Sequence, residues 1–303
     1  MEREHCPSPD VKETMKRERE NRLNTWRKIP KNDLQIAETY LRNRENYCVA
    51  ASARFIGIQK SLGHIWYLGG LGSAEEISAL LLHSRRTLFP VFNKKTDISS
   101  PDFLTSFLRK TPVHAIQGLR EDIELLEPLL EKLGYFHDEH IDYCLLNIDV
   151  PPGPEVLRAG PANLILREPA AGDEEELFAL QSAYEREEVL PKSAVFNPAS
   201  TRLNLKHILS SEYMLIAELN GQVVGKINTS AESFTRFQIG GVYVRPDCRG
   251  RGIGLKMTSV FTGTLLARGK GLTLFVKNRN AAARAVYRRA GFTVLADYRI
   301  TYY

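Results

Sequence analysis

The sequence predicts an α/β (α+β) protein in which a C-terminal domain with a mixed central sheet follows a second α/β domain. Three observations carry this reading. Segments patterned as strands and as helices alternate at short spacing from about residue 64 to the end. A proline-rich break, Pro151-Pro152-Gly153-Pro154, divides the alternation in two. In the second half a glycine-rich run, Gly250-Arg251-Gly252-Ile253-Gly254, joins a strand to a helix.

In the first half, residues 1–30 are expected as a charged tail or helix, and 31–150 as the N-terminal α/β domain. Helical periodicity covers 31–55. Strands are then predicted at 64–70, 87–92, 112–118 and 141–149, and helices at 75–86, near 102–109 and at 120–134. The last of these helices begins with Glu121 and Asp122 and has no glycine-rich turn, so its acids are assigned to the helix dipole. Trp66 and Tyr67 read as core. A linker, 151–162, leads into the C-terminal domain, 163–303. There a strand at 163–169 precedes a helix at 174–188, with Asp173 and Glu176 spaced as a capping box. A short helix runs to about Leu209. Strands 213–219 and 223–231 flank Asn220-Gly221, a tight-hairpin signal. Strand 238–244, a helix over 253–267, strand 272–277, helix 281–290 and a final strand over 292–303 complete the chain.

Composition narrows the function. The 303 residues are 43% hydrophobic and 25% charged, an ordinary globular balance with room for two domains. No apolar run approaches the roughly 20 residues that span a bilayer. The charged start lacks the apolar core of a secretory signal, and four scattered cysteines without metal-type pairing fit a reducing, cytoplasmic setting. His137 and His140 read as surface residues, so no metal is expected. From Gly240 onward twelve basic residues face two acids, a net +10 against −5 for the rest of the chain. Such a segment suits a polyanion, whether a phosphorylated cofactor or nucleic acid.

Alternate glycines at a strand-to-helix junction let a ligand approach the backbone and turn free amides outward. The helix N-terminus, Arg249 and Arg251 add positive charge. The run is short, unrepeated and held between two patterned elements, which favours an anion cradle over a solvated basic loop or RNA-binding tail. Neither a nucleotide P-loop nor the Gly-x-Gly-x-x-Gly dinucleotide fingerprint fits the spacing. What fits is Arg-x-x-Gly-x-Gly, at Arg249, Gly252 and Gly254, and here the sequence resembles the coenzyme A-binding signature of the GNAT N-acetyltransferase superfamily. A second stretch, LFVKNRNAAARAVYRRAGF at 274–292, resembles that family's later motif, about 25 residues on and in the right order. The resemblance covers about 163–303. The whole chain is similar to a subgroup of predicted bacterial acetyltransferases with an N-terminal domain of poorly understood function. The pattern of 31–149 admits a degenerate GNAT-like copy, but it lacks the glycine loop, which leaves one acetyl-CoA site per chain.

The resemblance implies an acetyl-CoA-dependent transfer of an acetyl group directly to a primary amine, on a small molecule or peptide. It places the coenzyme A pyrophosphate on Arg249, Gly250, Arg251, Gly252, Ile253 and Gly254. The pantetheine arm falls along Val242, Tyr243 and Val244, in a gap between strands 238–244 and 272–277, with Asn280 and Ala283 beside it. Tyr287 is implied as general acid for the leaving thiolate; its ordinary pKa near 10 suits donation. A bulge near Gly240-Gly241 would free a backbone N–H to polarise the thioester carbonyl, which brings Gly241 into the catalytic set. Glu187 and Glu188, beside the loop where an acceptor enters this fold, are candidates to receive the ammonium proton, ahead of Glu218 and Glu232. Two other readings stay open: a non-catalytic acyl-CoA-binding sensor, and a nucleic-acid binding module. The basic residues lack the aromatic interleaving of a single-strand binder. No membrane partner is expected, and a homodimer is admitted.

Overall fold

A strand from the middle of the chain and the strand that ends it lie side by side at the centre of the sheet. The computed structural model describes residues 25–59, 64–93 and 102–303. In the first half β1 is Arg27–Lys28, β2 His64–Gly69, β3 Ile77–Ser84, β4 Thr87–Phe92, β5 Ala115–Leu119 and β6 Glu139–Ile148. In the second, β7 is Leu164–Arg167, β8 Met214–Leu219, β9 Gln222–Glu232, β10 Arg236–Val244, β11 Gly271–Lys277 and β12 Thr293–Tyr302. They form one sheet in the order β1-β2-β3-β4-β5-β12-β6-β11-β10-β9-β8-β7. Each half thus gives its last strand to the other: β6 lies between β11 and β12, and β12 between β5 and β6. The two parallel pairs, β4–β5 and β10–β11, occupy matching places on either side of this exchange.

The seam is built by alternation in FTVLADYRITYY. Tyr298 and Ile300 point with Ile141, Tyr143 and Leu145 into one small core. There Phe275 stacks on Tyr298 at 5.1 Å and meets Tyr143 edge-on at 5.1 Å. Such aromatic pairs contribute about 0.5–1.5 kcal/mol each beyond their burial. On the other face Arg299 bridges Asp142 at 2.7 Å and Glu124 at 3.4 Å.

Helices cover both faces. In the first half these are α1 (Leu34–Arg42), α2 (Val49–Gln59), α3 (Asp102–Leu108) and α4 (Arg120–Lys132). In the second they are α5 (Glu174–Tyr184), α6 (Pro198–Ser211), α7 (Ile253–Leu266) and α8 (Ala281–Arg289). Buried Glu45, between α1 and α2, ties the halves together. Its carboxylate accepts from the Thr235 N–H at 2.8 Å, from the Thr235 hydroxyl at 2.6 Å and from the Ser233 hydroxyl, clamping the turn between β9 and β10. That clamp sets α2 against β9 and β10.

Several expectations are corrected. The helix predicted at 75–86 is strand β3. Its run is apolar because both faces are covered: Leu80 and Leu82 enter one core, Ala79 and Leu81 another, the alternation of a doubly buried strand. The single helical stretch of 31–55 is two helices with turns between. Residues 1–24 lie outside the described residues, but the tail does not reach residue 30: Trp26 is 1% exposed and Arg27–Lys28 pairs with β2. Asp173 and Glu176 do not form a capping box on α5: Asp173 makes no side-chain cap bond there, and Glu176 accepts from the Val223 N–H at 3.2 Å. The Asp173 carboxylate accepts from Arg167 at 2.7 and 2.8 Å and from the Ala170 N–H at 2.6 Å. Residues 151–162 dock rather than dangle, with Val156 buried in the main core and Gly160 against Gly252.

Candidate active site

The site begins where β10 and β11 part. They pair in parallel from Arg236↔Gly271 to Ile239↔Leu274, after which β11 continues against β6 as far as Lys277↔Tyr143 while β10 turns away. A bulge accompanies the parting. On the other side of β10, Gly240 faces Asn228 and Tyr243 faces Lys226, so three steps oppose two. Gly241 has φ 59°, and a Cβ there would meet Asn228 Oδ1 and lie 2.7 Å from Lys226 Nζ. Only glycine fits both demands. β10 is an inner strand, so the glycine pair is not the bend of a sheet edge.

Beneath the bulge lies Lys226, fully buried. Its Nζ donates to the Gly241 carbonyl at 2.9 Å and to Asn228 Oδ1 at 3.0 Å, and sits 4.8 Å from the centre of the Tyr184 ring. Burial pulls its pKa down to about 7, against a smaller opposing pull from Glu185. The Gly241 N–H donates to the Tyr184 hydroxyl at 3.3 Å. The described peptide bonds are trans, so fixing the Gly241 carbonyl toward Lys226 turns the Val242 N–H the opposite way. Val242 lines the cleft. The amide expected from Gly241 is therefore engaged, and the one aimed away from Lys226 belongs to the next residue.

The glycine loop follows a turn at Pro246–Cys248. Gly250 and Gly252 take left-handed φ values of 76° and 79°, and Gly252 precedes the first residue of α7. The first bond of that helix runs from the Lys256 N–H to the Gly252 carbonyl, leaving the N–H groups of Ile253, Gly254 and Leu255 without helical partners. The sequence folds this way because an apolar helix, with Ile253, Leu255, Met257 and Phe261 buried, must start abruptly against the sheet. Arg251 is exposed on the loop. Arg249 is tied down: it donates to both oxygens of Glu187 at 2.9 and 2.8 Å and to the Val244 carbonyl at 2.9 Å.

A turn of π-helix, Glu185–Val189, continues α5 and brings Glu187 and Glu188 to the cleft. Glu187 is held by Arg249, whose hydrogen bonds keep the carboxyl below the usual range. Glu188 accepts from Asn280 Nδ2 at 3.0 Å and lies 3.5 Å from the buried Lys277 Nζ. Burial lowers the Lys277 pKa, against an opposing pull from Glu188. Asn280 also caps α8, its Oδ1 accepting from the Ala283 N–H at 3.0 Å. It is thus a fixture of the site wall, with its amide turned to Glu188. Tyr287 projects from α8, 7% exposed, edge-on to Phe292 at 6.0 Å. Burial raises its pKa, and the nearby Tyr184 and Glu188 raise it further.

Most of these groups line one cleft of about 910 Å³ that also contains Val242, Tyr243, Val244 and Ala283, but Lys226 lies behind its wall and Arg251 points to the surface. The structure brings together the glycine loop, Gly241, Glu187, Glu188, Asn280 and Tyr287. Glu232 lies on the same wall, whereas Glu218 is turned to Arg167 at 2.8 Å. Sequence reasoning missed Lys226, Tyr184, Tyr143 and Lys277. Two had a signal: Lys226 interrupts the apolar strand VVGKI, and Tyr184 opens the YEREEVLP stretch. The residues fit coenzyme A, with an amide-rich loop for phosphates, a parted strand edge for amide-bearing chain, and a cleft large enough to continue past it.

Residues 175–292 match the model of the Acetyltransferase (GNAT) family. Among solved structures the fold is similar to a GCN5-related N-acetyltransferase from Sphaerobacter thermophilus, at 20% identity over 91% of this chain and 94% of that one, with TM-score 0.57. It is similar also to a tandem GNAT protein from the clavulanic acid biosynthesis pathway, at 11% identity over 91% and 97%, TM-score 0.56. A Drosophila protein aligns at 10% identity over 92% and 99%, TM-score 0.61. No curated protein matches the sequence. The C-terminal domain belongs to the GNAT acetyltransferase superfamily, and a further α/β domain precedes it.

Proposed function

We propose that the chain is an acetyl-CoA-dependent N-acetyltransferase that moves an acetyl group directly to a primary amine. The observation that carries this reading is the bulge at Gly241, fixed by Lys226 and Tyr184 beside the parted strands and the glycine loop. Acetyl-CoA supplies the thioester. The α7 amides with Arg251 hold its phosphates, and the edge of β10 from Val242 to Val244 holds its chain. The Val242 N–H, aimed by the Lys226–Gly241 bond, polarises the thioester carbonyl. Glu188, oriented by Asn280 and Lys277, holds the incoming ammonium and accepts its proton. Tyr287, kept protonated by burial, gives its proton to the departing sulfur. Glu187 serves as the anchor of Arg249 and leaves the base role to its neighbour.

The domain division follows the same reading: 31–150 and 163–303 are two domains of one plan, joined by 151–162 and knit by strand exchange. The matching places of β4–β5 and β10–β11 support the first as a degenerate GNAT-like copy. Its pair of strands parts after Leu88↔Ile116 and borders a cavity of about 420 Å³. There the buried carboxylate of Asp122 accepts from the Phe92 N–H at 3.2 Å, and burial raises its pKa to about 7. An acid on that amide, with no glycine loop nearby in sequence, supports one acetyl-CoA site per chain.

The test is thiol release from acetyl-CoA in the presence of a panel of amines. Binding of acetyl-CoA without release in any mixture would favour the sensor reading.

A further inference from the structure

The acceptor end of the cleft is built partly from the N-terminal half. Arg54 of α2 and Arg85 of the β3–β4 turn line it together with Gln117 and Tyr143. Arg54 is half-buried, and no described residue forms a hydrogen bond or ion pair with either guanidinium. The acids nearby make their hydrogen bonds elsewhere, and of these only Glu232 has a cationic partner among the described residues. Glu232 pairs with Lys270 at 2.7 Å, Glu212 accepts from the Thr229 hydroxyl, and Glu185 accepts from Thr201 at 2.5 Å and Asn204 at 2.9 Å. Arg54 and Arg85 therefore line one cleft with no carboxylate of the described residues in hydrogen-bond or ion-pair contact with either, the charge of Glu212 reaching Arg54 only at longer range. Burial and then the charge of Arg85 lower the Arg54 pKa, with Glu212 opposing more weakly.

The backbone adds a second observation. Arg85 and Arg86 both take left-handed conformations, φ 50° and 66°. A two-residue hairpin turn of this kind prefers Asn-Gly, and each larger side chain there carries strain of order 1 kcal/mol or more. A half-buried guanidinium without a partner is likewise unfavourable. Both costs are offset when a planar anion bridges the pair, since guanidinium groups bind carboxylates with strong, directional hydrogen bonds.

We infer that Arg54 and Arg85 form a carboxylate-binding subsite, so that the amine acceptor is of the amino-acid class, its carboxylate held by the N-terminal half and its amine turned to Glu188. This rests on the transferase reading above and gives the N-terminal domain its task in that reaction: to read the acceptor.

The test uses the full chain and paired acceptors, free amino acids and their C-terminal amides. Two readouts are taken: thiol release, and calorimetric binding to protein loaded with coenzyme A. Wild type should favour acids over amides at least tenfold in both. Arg54→Met and Arg85→Asn should each reduce that preference about tenfold without changing the KM for acetyl-CoA, and Arg54→Lys should restore part of it. Arg85→Asn suits the left-handed turn, so it keeps the test valid should Arg54→Met fold poorly. Equal handling of acids and amides, a preference that survives both substitutions, or no binding of any acid would overturn the inference. Acids that bind with the predicted preference but release no thiol would instead sink the transferase reading and leave the subsite standing.

Discussion

The Nζ of Lys226 lies 2.9 Å from the carbonyl oxygen of Gly241, so a fully buried lysine holds a peptide inside the second of the two register shifts of β10 against β9. Its removal should act on the chemical step. Lys226→Met keeps most of the side-chain volume and the fold, but the 241–242 peptide loses its anchor. Loss of a direct oxyanion donor costs about 10²–10³ in kcat. Here the donor persists but loses its aim, so kcat should fall about 10- to 100-fold. The KM for acetyl-CoA should stay within about twofold. An unchanged kcat in a folded variant would make Lys226 a packing residue.

The same lysine should give a pH signature in stability. Its pKa is pulled to about 7 in the folded protein, whereas an unfolded lysine titrates near 10.4. Between these values the unfolded chain binds the extra proton, so stability rises with pH. The contribution is greatest above the unfolded value and is lost as pH falls toward 7. Denaturant titrations should therefore show wild type gaining on Lys226→Met by about 1.4 kcal/mol per pH unit at the steepest part of that window. Parallel curves for the two proteins would place the lysine's pKa at its ordinary value.

Local signals explain what was legible. Asn220 and Gly221 take φ 54° and 78°, the turn their identities predict, and the glycine loop meets its helix where the spacing places it. The strand exchange was hidden because Tyr143 pairs with Tyr298, far away in sequence, and nothing local to either strand names its neighbour. β3 reads as a helix in the sequence because burial on both faces erases the polar half of a strand's alternation. Lys226 carries little signal in the sequence for a related reason. A lone lysine in a hairpin strand ordinarily points to water, and only tertiary packing of Tyr184 and the Gly241 bulge turns it inward. Asp173 shows the same limit, since Arg167 outcompeted the local cap.

For the cofactor loop, Gly254 is a cleaner probe than Gly252. Gly252 has φ 79°, and a Cβ there would lie 2.8 Å from the backbone nitrogen of Gly160, so any substitution disturbs the docked linker as well. At Gly254 the nearest atom to a new Cβ is Val244 Cγ2, at an ordinary 3.7 Å. Gly254→Glu also replaces a helical glycine and puts a negative charge in the first turn, both favourable to the helix. Its melting temperature should match or exceed that of wild type. Acetyl-CoA affinity, measured by calorimetry, should fall at least tenfold through repulsion of the phosphates. Full affinity would mean that the pyrophosphate binds elsewhere.

Tyr287→Phe tests the acid. The substitution removes one hydroxyl and keeps the ring, so the edge-on contact with Phe292 and the packing of α8 should persist. Burial raises the pKa of this hydroxyl, and the neighbouring Tyr184 and Glu188 oppose its ionisation further. It therefore holds its proton throughout the working range, and because the same shift makes it a weaker acid, donation to the sulfur has to accompany C–S cleavage. If it does so, the rate of the chemical step should fall by roughly 10²–10⁴, the usual worth of a placed proton donor. The KM values should hardly move, because the interaction matters in the transition state and little in the ground state. Product release in wild type would mask part of the loss, so the rate is best read in a single turnover. An unchanged single-turnover rate would reduce Tyr287 to packing and hand the proton to solvent or to Tyr184, whose hydroxyl already meets the Gly241 amide.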